Sequence, residues 1–191
     1  MKEEIIPVII DGQEIPGYFV SNTGKVWSSL KTRGCPPVSY VSDQKRDLKL
    51  SSSKNKDGTV KYMFCSISYP KGLFDYNYAK PHRAKDARRR TMKVHQLVMN
   101  SFKPIETNPP DRLKDYWFDL PSEVKKWIAE TVYINHIDHD PTNNNLWNLE
   151  YVTPRENTRK AIHHYEGKLS NKSMMNDKEN KEENVTVLSF I

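Results

Sequence analysis

The sequence predicts an α+β fold: a small N-terminal antiparallel sheet, a strand–strand–helix unit near residues 132–167, and extended arms. Short runs rich in β-branched and aromatic residues occur before residue 70. Two further strand patterns precede a helix-start signal at residue 153. Hydrophobic residues make up 36% of the 191 residues and charged residues 28%, which is typical of a small core with much solvated surface.

The N-terminal part contains a candidate hairpin followed by a third strand. Residues 17–30 form two strand patterns around Asn22-Thr23-Gly24, a turn in which Asn and Gly tolerate positive φ. After a loop rich in Ser and Lys, residues 60–69 are again rich in β-branched and aromatic side chains. We expect the three strands to pair in one small sheet.

The middle of the chain contains two predicted helices. Apolar residues recur at helical spacing over residues 94–102, which predicts a helix with one buried face. Prolines at 104, 109 and 110 argue against regular structure up to residue 120, and Pro121-Ser122 begins the second helix. Three tryptophans are expected in the core: Trp117, Trp127 and Trp147.

Residues 132–167 contain the strand–strand–helix pattern. Strands are predicted at 132–137 and 149–152, and a polar loop over 138–145 joins them. Thr153-Pro-Arg-Glu156 is a capping box with proline at the first helical position, so a helix begins there and ends near Gly167. Within the loop, Asn143, Asn144 and Asn145 are predicted to be turn residues without a chemical role.

These patterns divide the chain into five parts. They are an N-terminal β-rich module (1–79), a basic arm and helix (80–105), a helical spacer (106–131), the strand–strand–helix unit (132–167) and a polar tail (168–191). The apolar end of the tail, residues 185–191, is a candidate docking segment.

Positive charge is concentrated in one of these parts. The formal net charge is +6, and residues 80–93 alone contain seven Lys or Arg residues against one Asp. Residues 106–150 are acidic by contrast, with nine acidic against four basic side chains. A local excess of this kind favours contact with a polyanion, with an ordinary solvated face as the alternative.

Cysteine spacing and hydropathy exclude several classes of protein. Cys35 and Cys65 have neither the spacing of a zinc site nor that of a disulfide framework. No run reaches the ~18 apolar residues of a membrane span, and the N-terminal segment lacks the basic and apolar regions of a secretion signal. We expect a cytoplasmic protein that does not enter a membrane.

The most specific pattern lies in residues 132–167. His136 ends the first strand, Asn148 comes twelve residues later before the second, and Asn157 follows after nine more, one turn into the helix. This arrangement resembles the HNH nucleases, whose ββα-metal motif binds one divalent ion. It is most similar to the homing endonucleases of phages and introns, and the resemblance covers residues 15–30 and 92–158.

The resemblance implies a role for each of these residues. His136 would be the general base, Asn148 would brace the hairpin and orient His136, and Asn157 would bind the metal. Asn135 stands where many relatives have a ligating Asp, and its amide oxygen is the second implied ligand. Further candidate ligands are Asp138, Asp140 and His95. Oxygen donors favour one Mg²⁺ or Mn²⁺ per active site over zinc.

Phosphodiester hydrolysis requires these residue types. A neutral imidazole, with an ordinary pKa of about 6.5, can take a proton from water at neutral pH. A metal ion neutralises charge on the phosphate and on the departing oxygen. In a regular strand, however, Asn135 and His136 point to opposite faces, so both can serve one site only if the strand bends. His95 is either a ligand or a hydrogen-bonded structural histidine.

The predicted function is sequence-specific, metal-dependent cleavage of double-stranded DNA by a homing-type endonuclease. The protein would act as a monomer or dimer in the bacterial host of a phage or mobile element. The residues predicted to contact DNA are Arg83, Lys85, Arg88, Arg89, Arg90, Lys93, Arg155, Lys25 and Trp27. In the hairpin, Lys25, Trp27 and Ser29 are candidates for contacting base edges.

Two other functions fit parts of the sequence. A non-cleaving DNA-binding protein with a degenerate HNH site is favoured by the missing Asp at position 135. RNA binding through exposed aromatic side chains is a third hypothesis, but the Gly-aromatic signature of RRM domains and the GxxG clamp are both absent from the sequence.

Overall fold

The computed structural model describes residues 2–33, 38–70, 73, 80–81 and 87–167, and the chain divides into two units, residues 1–151 and 152–191. In the described residues, the first unit contains two four-stranded antiparallel sheets, a two-stranded hairpin and two α-helices. The described part of the second unit contains a further helix over residues 154–167. The fold is α+β, as predicted.

The first sheet has the strand order β1-β2-β3-β4. Its strands are β1 (Ile5–Ile10), β2 (Gln13–Ser21), β3 (Val26–Arg33) and β4 (Val38–Asp47). The predicted hairpin is confirmed, because Val20 pairs with Val26 and Gly24 adopts a φ of 85° in the turn. Strand β4 was not predicted. Residues 43–47 are exposed on both faces, so β4 lacks the alternation of apolar and polar residues that marks a half-buried strand.

The second sheet has the order β5-β6-β8-β7. Its strands are β5 (Ser51–Lys54), β6 (Val60–Pro70), β7 (Lys80–Pro81) and β8 (Ala87–Lys93). The predicted third strand is confirmed as β6, but the expectation of a single sheet is wrong, because β6 pairs with β5 and β8. Residues 87–93, predicted as a basic arm, form a strand instead. Local composition identifies a strand but does not identify its partner.

Both predicted helices of the first unit are confirmed. Helix α1 (Val94–Phe102) buries Val94, Leu97 and Val98 and packs chiefly against β1. Two 3-10 turns, Asp111–Leu113 and Trp117–Asp119, interrupt the spacer, and helix α2 (Ser122–Thr131) follows. Of the helices in the described part of the chain, none combines the length and apolar character that crossing a bilayer requires.

The prediction for the tryptophans is confirmed for one residue and wrong for two. Trp117 is fully buried, and its Nε1–H donates to the carbonyl oxygen of Glu106 at 2.8 Å. Trp127 is 64% exposed and Trp147 is 57% exposed. Every residue of α2 is at least partly exposed, so the apolar spacing around Trp127 does not correspond to a buried face.

The core of the first unit joins both sheets and α1. Its fully buried apolar side chains include Val8, Ile10, Ile15, Val20, Ile67 and Leu97. Burial of each such side chain contributes roughly 1.5–3 kcal/mol. Polar contacts also connect the elements: the Ser68 N–H donates to the Tyr18 hydroxyl at 2.8 Å, and the Ile9 N–H donates to Ser101 Oγ at 2.9 Å. The two sheets are therefore parts of one folded body.

The predicted hairpin near residues 132–152 is present. Strands β9 (Tyr133–His136) and β10 (Leu149–Val152) pair, and a 3-10 turn over Leu146–Asn148 precedes β10. Helix α3, residues 154–167, begins at the predicted capping box. Both hydrogen bonds of the capping box are present. The Thr153 N–H donates to Glu156 Oε2 at 3.0 Å, and the Glu156 N–H donates to Thr153 Oγ1 at 3.2 Å.

Candidate active site

His136 ends β9 and is 7% exposed. Its Nε2 lies 3.2 Å from Oδ1 of Asn144, which is itself 5% exposed. Its ring also meets the ring of His95 edge to face, with centroids 5.1 Å apart and planes at 79°. The imidazole is thus held by one hydrogen bond and one ring contact, and this contact with Asn144 was not expected from the sequence.

Asn148 is fully buried and organises the loop between β9 and β10. Its Nδ2 donates to Oδ1 of Asp138 at 2.8 Å and to the carbonyl oxygen of Asn143 at 2.9 Å. Its Oδ1 accepts from the Asp138 N–H at 3.1 Å. This geometry is what a bracing residue requires. The side chain of Asn148 thus contacts loop residues, whereas Asn144 makes the direct hydrogen bond with His136.

The two aspartates of the loop serve as hydrogen-bond acceptors within it. Oδ1 of Asp138 accepts from Asn148 and from the Asp140 N–H, and its Oδ2 accepts from Asn143 at 2.6 Å. Burial alone would raise the pKa of the Asp138 carboxyl, but these hydrogen bonds outweigh it and hold the pKa below its ordinary value. Asp140 accepts from both the N–H and the hydroxyl of Thr142. As candidate metal ligands, both are already engaged by the loop.

Asn135 and His136 have different neighbours, as the alternation of a strand predicts. Nδ2 of Asn135 donates to Oε1 of Glu150 across the hairpin at 2.8 Å. His136 instead contacts Asn144 and His95. Sequence reasoning missed Glu150, although its place in the strand beside β9 was a usable signal.

His95 lies beside the candidate general base in a buried pocket. It is fully enclosed, its ring also meets Tyr62 at a centroid distance of 5.4 Å, and its Nδ1 has no hydrogen-bond partner among the described residues. Burial, with smaller contributions from the nearby charges of His136 and Lys93, lowers the pKa of His95 to about 3. Its imidazole is therefore neutral at ordinary pH. The structure brings His95 to the site as a neutral ring.

The available donor atoms fit a hard divalent cation. No three His, Cys, Asp or Glu side chains gather within the described ranges, so a metal site built from these residues needs amide oxygens. Asn135 and Glu150 supply oxygen atoms in the hairpin. Asn157 lies in the second unit, where its side chain is half-buried and its N–H donates to the carbonyl oxygen of Thr153 at 2.9 Å. Oxygen donors match Mg²⁺ or Mn²⁺.

The basic residues of β8, which were predicted to form one surface, have different surroundings in the structure. Arg89 is exposed, whereas Arg90 forms an ion pair with Asp11 at 3.2 Å. Lys93 is half-buried, and its Nζ lies 3.9 Å from the centroid of the Tyr62 ring. Burial lowers the pKa of Lys93, and the charge of Lys61 adds to the effect. Arg88 is placed in β8 opposite Tyr69 in the strand register. Arg83 and Lys85 lie outside the described residues.

The remaining predicted DNA contacts differ in accessibility. Lys25 is exposed and pairs with Glu3 at 3.2 Å, Trp27 is half-buried, and Arg155 is exposed on α3. Ser29 is fully buried, and its hydroxyl donates to the carbonyl oxygen of Gly17 at 3.4 Å. The expectation that Ser29 contacts base edges is therefore wrong, because its side chain is buried.

One stretch of the chain, which includes the hairpin and the start of α3, matches a known protein family. Residues 128–159 match the family model of the HNH endonucleases. A solved structure of DNA binding and cleavage by the HNH homing endonuclease I-HmuI is similar at 22% identity and a TM-score of 0.41, over 84% of this chain and 59% of that chain. The chain thus spans less than two thirds of that protein, and no curated protein sequence matches it. The predicted resemblance is confirmed for residues 128–159, the part of this chain that matches the HNH endonuclease family model.

Proposed function

We propose that this protein is a metal-dependent DNA endonuclease in which His136 is the general base. One observation carries the proposal: the histidine of the HNH segment is buried, hydrogen-bonded to Asn144, and placed at the edge of a loop that Asn148 braces. A general base must be held within reach of the proton that it removes. The contacts around His136 provide that restraint.

In this proposal His136 removes a proton from the water that attacks the phosphorus atom. An imidazole accepts a proton at neutral pH, which a carboxylate does poorly. A bound divalent ion would neutralise charge on the phosphate oxygens and on the departing oxygen. The family motif assigns oxygen ligands to Asn135 and Asn157, and Asn135 can serve the same site as His136 only if β9 bends.

We also propose double-stranded DNA as the substrate, with target specificity of the homing type. The net charge of +6 and the exposed cations Lys25, Arg89 and Arg155 support a polyanionic partner. Phosphate contacts of this kind position a duplex without identifying its sequence. Specific contacts are then expected from the exposed faces of the first sheet.

Cleavage of supercoiled plasmids that carry fragments of host genomic DNA tests the proposal. Wild-type protein should cut in Mg²⁺ or Mn²⁺ and not in a chelator, and the ratio of nicked to linear product reports how many strands are cut. His136→Ala should cut roughly 10²–10⁴-fold more slowly while binding DNA equally well, because a general base contributes to the barrier and little to affinity. His163→Ala is the matched control, since that histidine is 83% exposed on α3.

A non-cleaving DNA-binding protein is the second candidate function. Asn135 supplies no negative charge where many relatives have an Asp, and its amide is bonded to Glu150. If this candidate is correct, wild type and His136→Ala will bind the same duplexes and neither will cut them in any metal. Metal-dependent cutting that is lost in His136→Ala excludes it.

A further inference from the structure

We propose that Asn144 is a positioning residue that fixes the tautomer of His136, and that the turn between β2 and β3 holds Asn144 in place. The inference deepens the proposed function, since it concerns the nitrogen with which His136 would take a proton. It starts from a residue whose sequence context, three consecutive asparagines in a polar loop, indicates only a turn.

The first step is the orientation of the Asn144 amide. Its Nδ2 donates to the carbonyl oxygen of Thr142 at 3.1 Å and to that of Pro141 at 3.5 Å. A flipped amide would place its oxygen against two backbone carbonyl oxygens, which repel it. The amide oxygen therefore faces His136.

The second step is the consequence for the imidazole. An amide oxygen accepts hydrogen bonds and cannot donate, so Nε2 of the neutral His136 ring must hold the hydrogen in the 3.2 Å contact. Nδ1 then has a free lone pair. In neutral histidine the hydrogen bond at one nitrogen decides which nitrogen can act as a base. Asn144 thus makes Nδ1 the nitrogen that can accept a proton from water.

The third step is the contact between Asn144 and the β2–β3 turn. A Cβ atom added to Gly24 would lie 2.8 Å from Cβ and 3.0 Å from the carbonyl oxygen of Asn144, so the turn has no room for a methyl group. The Leu146 N–H donates to the carbonyl oxygen of Asn22 at 2.8 Å. The turn therefore packs directly against the loop segment that positions His136.

The turn is itself fixed to the start of the chain. The Asn22 N–H donates to the carbonyl oxygen of Glu4 at 3.1 Å, and the Glu4 N–H donates to Oδ1 of Asn22 at 3.2 Å. The Thr23 hydroxyl donates to a carboxylate oxygen of Glu3 at 2.7 Å. A continuous series of contacts thus runs from the N-terminal segment through the turn to Asn144 and then to His136.

The tautomer can be read directly by NMR of protein with ¹⁵N-labelled histidine, without metal or DNA. Two-bond ¹⁵N–¹H correlations, recorded about two pH units above the ordinary histidine pKa of about 6.5, should give the Nε2–H pattern for His136. Asn144→Ala should convert it to a mixture of tautomers. Asn145→Ala is the matched control, because that side chain bonds to Asn143 and should leave the Nε2–H pattern unchanged. The signal absent in His136→Ala assigns the resonance.

A pair of glycine variants tests the role of the turn. Gly24 and Gly58 both have a φ of 85°, but no described atom lies within 4 Å of a Cβ added at Gly58. Gly24→Ala should therefore produce the mixed tautomer and lower kcat by about tenfold or more, with KM for DNA within about twofold. Gly58→Ala has the same backbone strain and should change neither. If Gly24→Ala does not fold, Asn22→Ala removes the anchor of the turn without adding an atom and should also yield the mixture.

The outcomes separate this inference from the proposed function. A pure Nε2–H pattern in Asn144→Ala overturns the role of Asn144. The same pattern in folded Gly24→Ala, or in Asn22→Ala where that variant replaces it, overturns the role of the turn. If wild type does not cut DNA yet Asn144→Ala changes the tautomer, the inference holds and the nuclease proposal fails.

Discussion

Buried histidines affect stability as well as chemistry, and His95 is the clearest example in this chain. Its ring lies between Tyr62 and His136, and its pKa is lowered from the ordinary 6.5 to about 3, first of all by burial. Between these two values the unfolded chain binds a proton at this position and the folded chain does not. Stability from this group is therefore complete above about pH 6.5 and is lost as the pH falls towards 3.

Replacement of His95 by Gln should remove this acid sensitivity. Between about pH 7.5 and pH 5, wild type should lose about 2 kcal/mol more of its unfolding free energy than His95→Gln, because 1.36 kcal/mol corresponds to one pKa unit. Urea unfolding at the two pH values measures the difference. His163→Ala, at an exposed position, should show the wild-type pH dependence. Equal pH dependence in wild type and His95→Gln would show that the folded protein protonates His95 normally.

The metal ligands form a second prediction for individual residues. Asn135→Asp adds a negative charge beside Glu150, so it should lower the Mn²⁺ concentration needed for half-saturation. Asn157→Ala removes an amide oxygen and should raise that concentration. Calorimetric titration with Mn²⁺ measures binding directly, and Mg²⁺ dependence of cleavage provides the second readout. If both variants titrate like wild type, the ion binds elsewhere, and Asp138 and Asp140 are the next positions to test.

Among the elements, strand β8 distributes consecutive basic side chains over both faces of a sheet. Successive side chains of a strand point to opposite faces, so Arg89 and Arg90 do not share one surface. Arg90 is paired with Asp11, while Arg89 is exposed. An extended basic arm could present all its cations to one partner. In strand β8, Arg89 and Arg90 instead point to opposite faces of the sheet.

This division should appear in the salt dependence of DNA binding. Each phosphate contact that is lost should flatten the slope of log K against log [salt] by about 0.9 for duplex DNA. Arg89→Ala should flatten the slope by about 0.9, the value of one phosphate contact, on target and random duplexes alike. Arg90→Ala should flatten the slope less, because Asp11 competes for the Arg90 guanidinium. Replacing Arg88, Arg89 and Arg90 together should then flatten the slope by less than the loss of three phosphate contacts would. Lys126→Ala, on exposed α2, is the control. An unaltered slope in the triple variant would make β8 an ordinary solvated face.

At the scale of the whole molecule, the two sheets and α1 share one hydrophobic core. Strand β6 pairs with β8 from Phe64 to Pro70. Helix α1 packs against β1, which lies near the N-terminus. The predicted boundary between residues 79 and 80 therefore cuts through a sheet. A fragment of residues 1–79 should be unfolded by circular dichroism and amide dispersion, whereas residues 1–167 should fold. A folded 1–79 fragment would show that the first sheet is stable without α1.

The sequence alone determined the features that depend on neighbouring residues. The β2–β3 turn, helices α1 and α2, the capping box at Thr153 and the spacing of His136, Asn148 and Asn157 are all local patterns. Turn chemistry, helical periodicity and capping act over a few residues, so they can be predicted from the sequence. The resemblance of residues 128–159 to the HNH endonucleases could be predicted for the same reason.

Only the tertiary structure decided which distant segments meet. The partners of β6, the exposure of Trp127 and the place of His95 beside His136 depend on contacts between residues far apart in the chain. The role of Asn144 is the sharpest case, because nothing in the sequence distinguishes it from the asparagines on either side. It contacts Gly24 in the β2–β3 turn, a residue far away in the sequence that has no room for a side chain. Such complementarity arises from packing in three dimensions and has no local sequence signal.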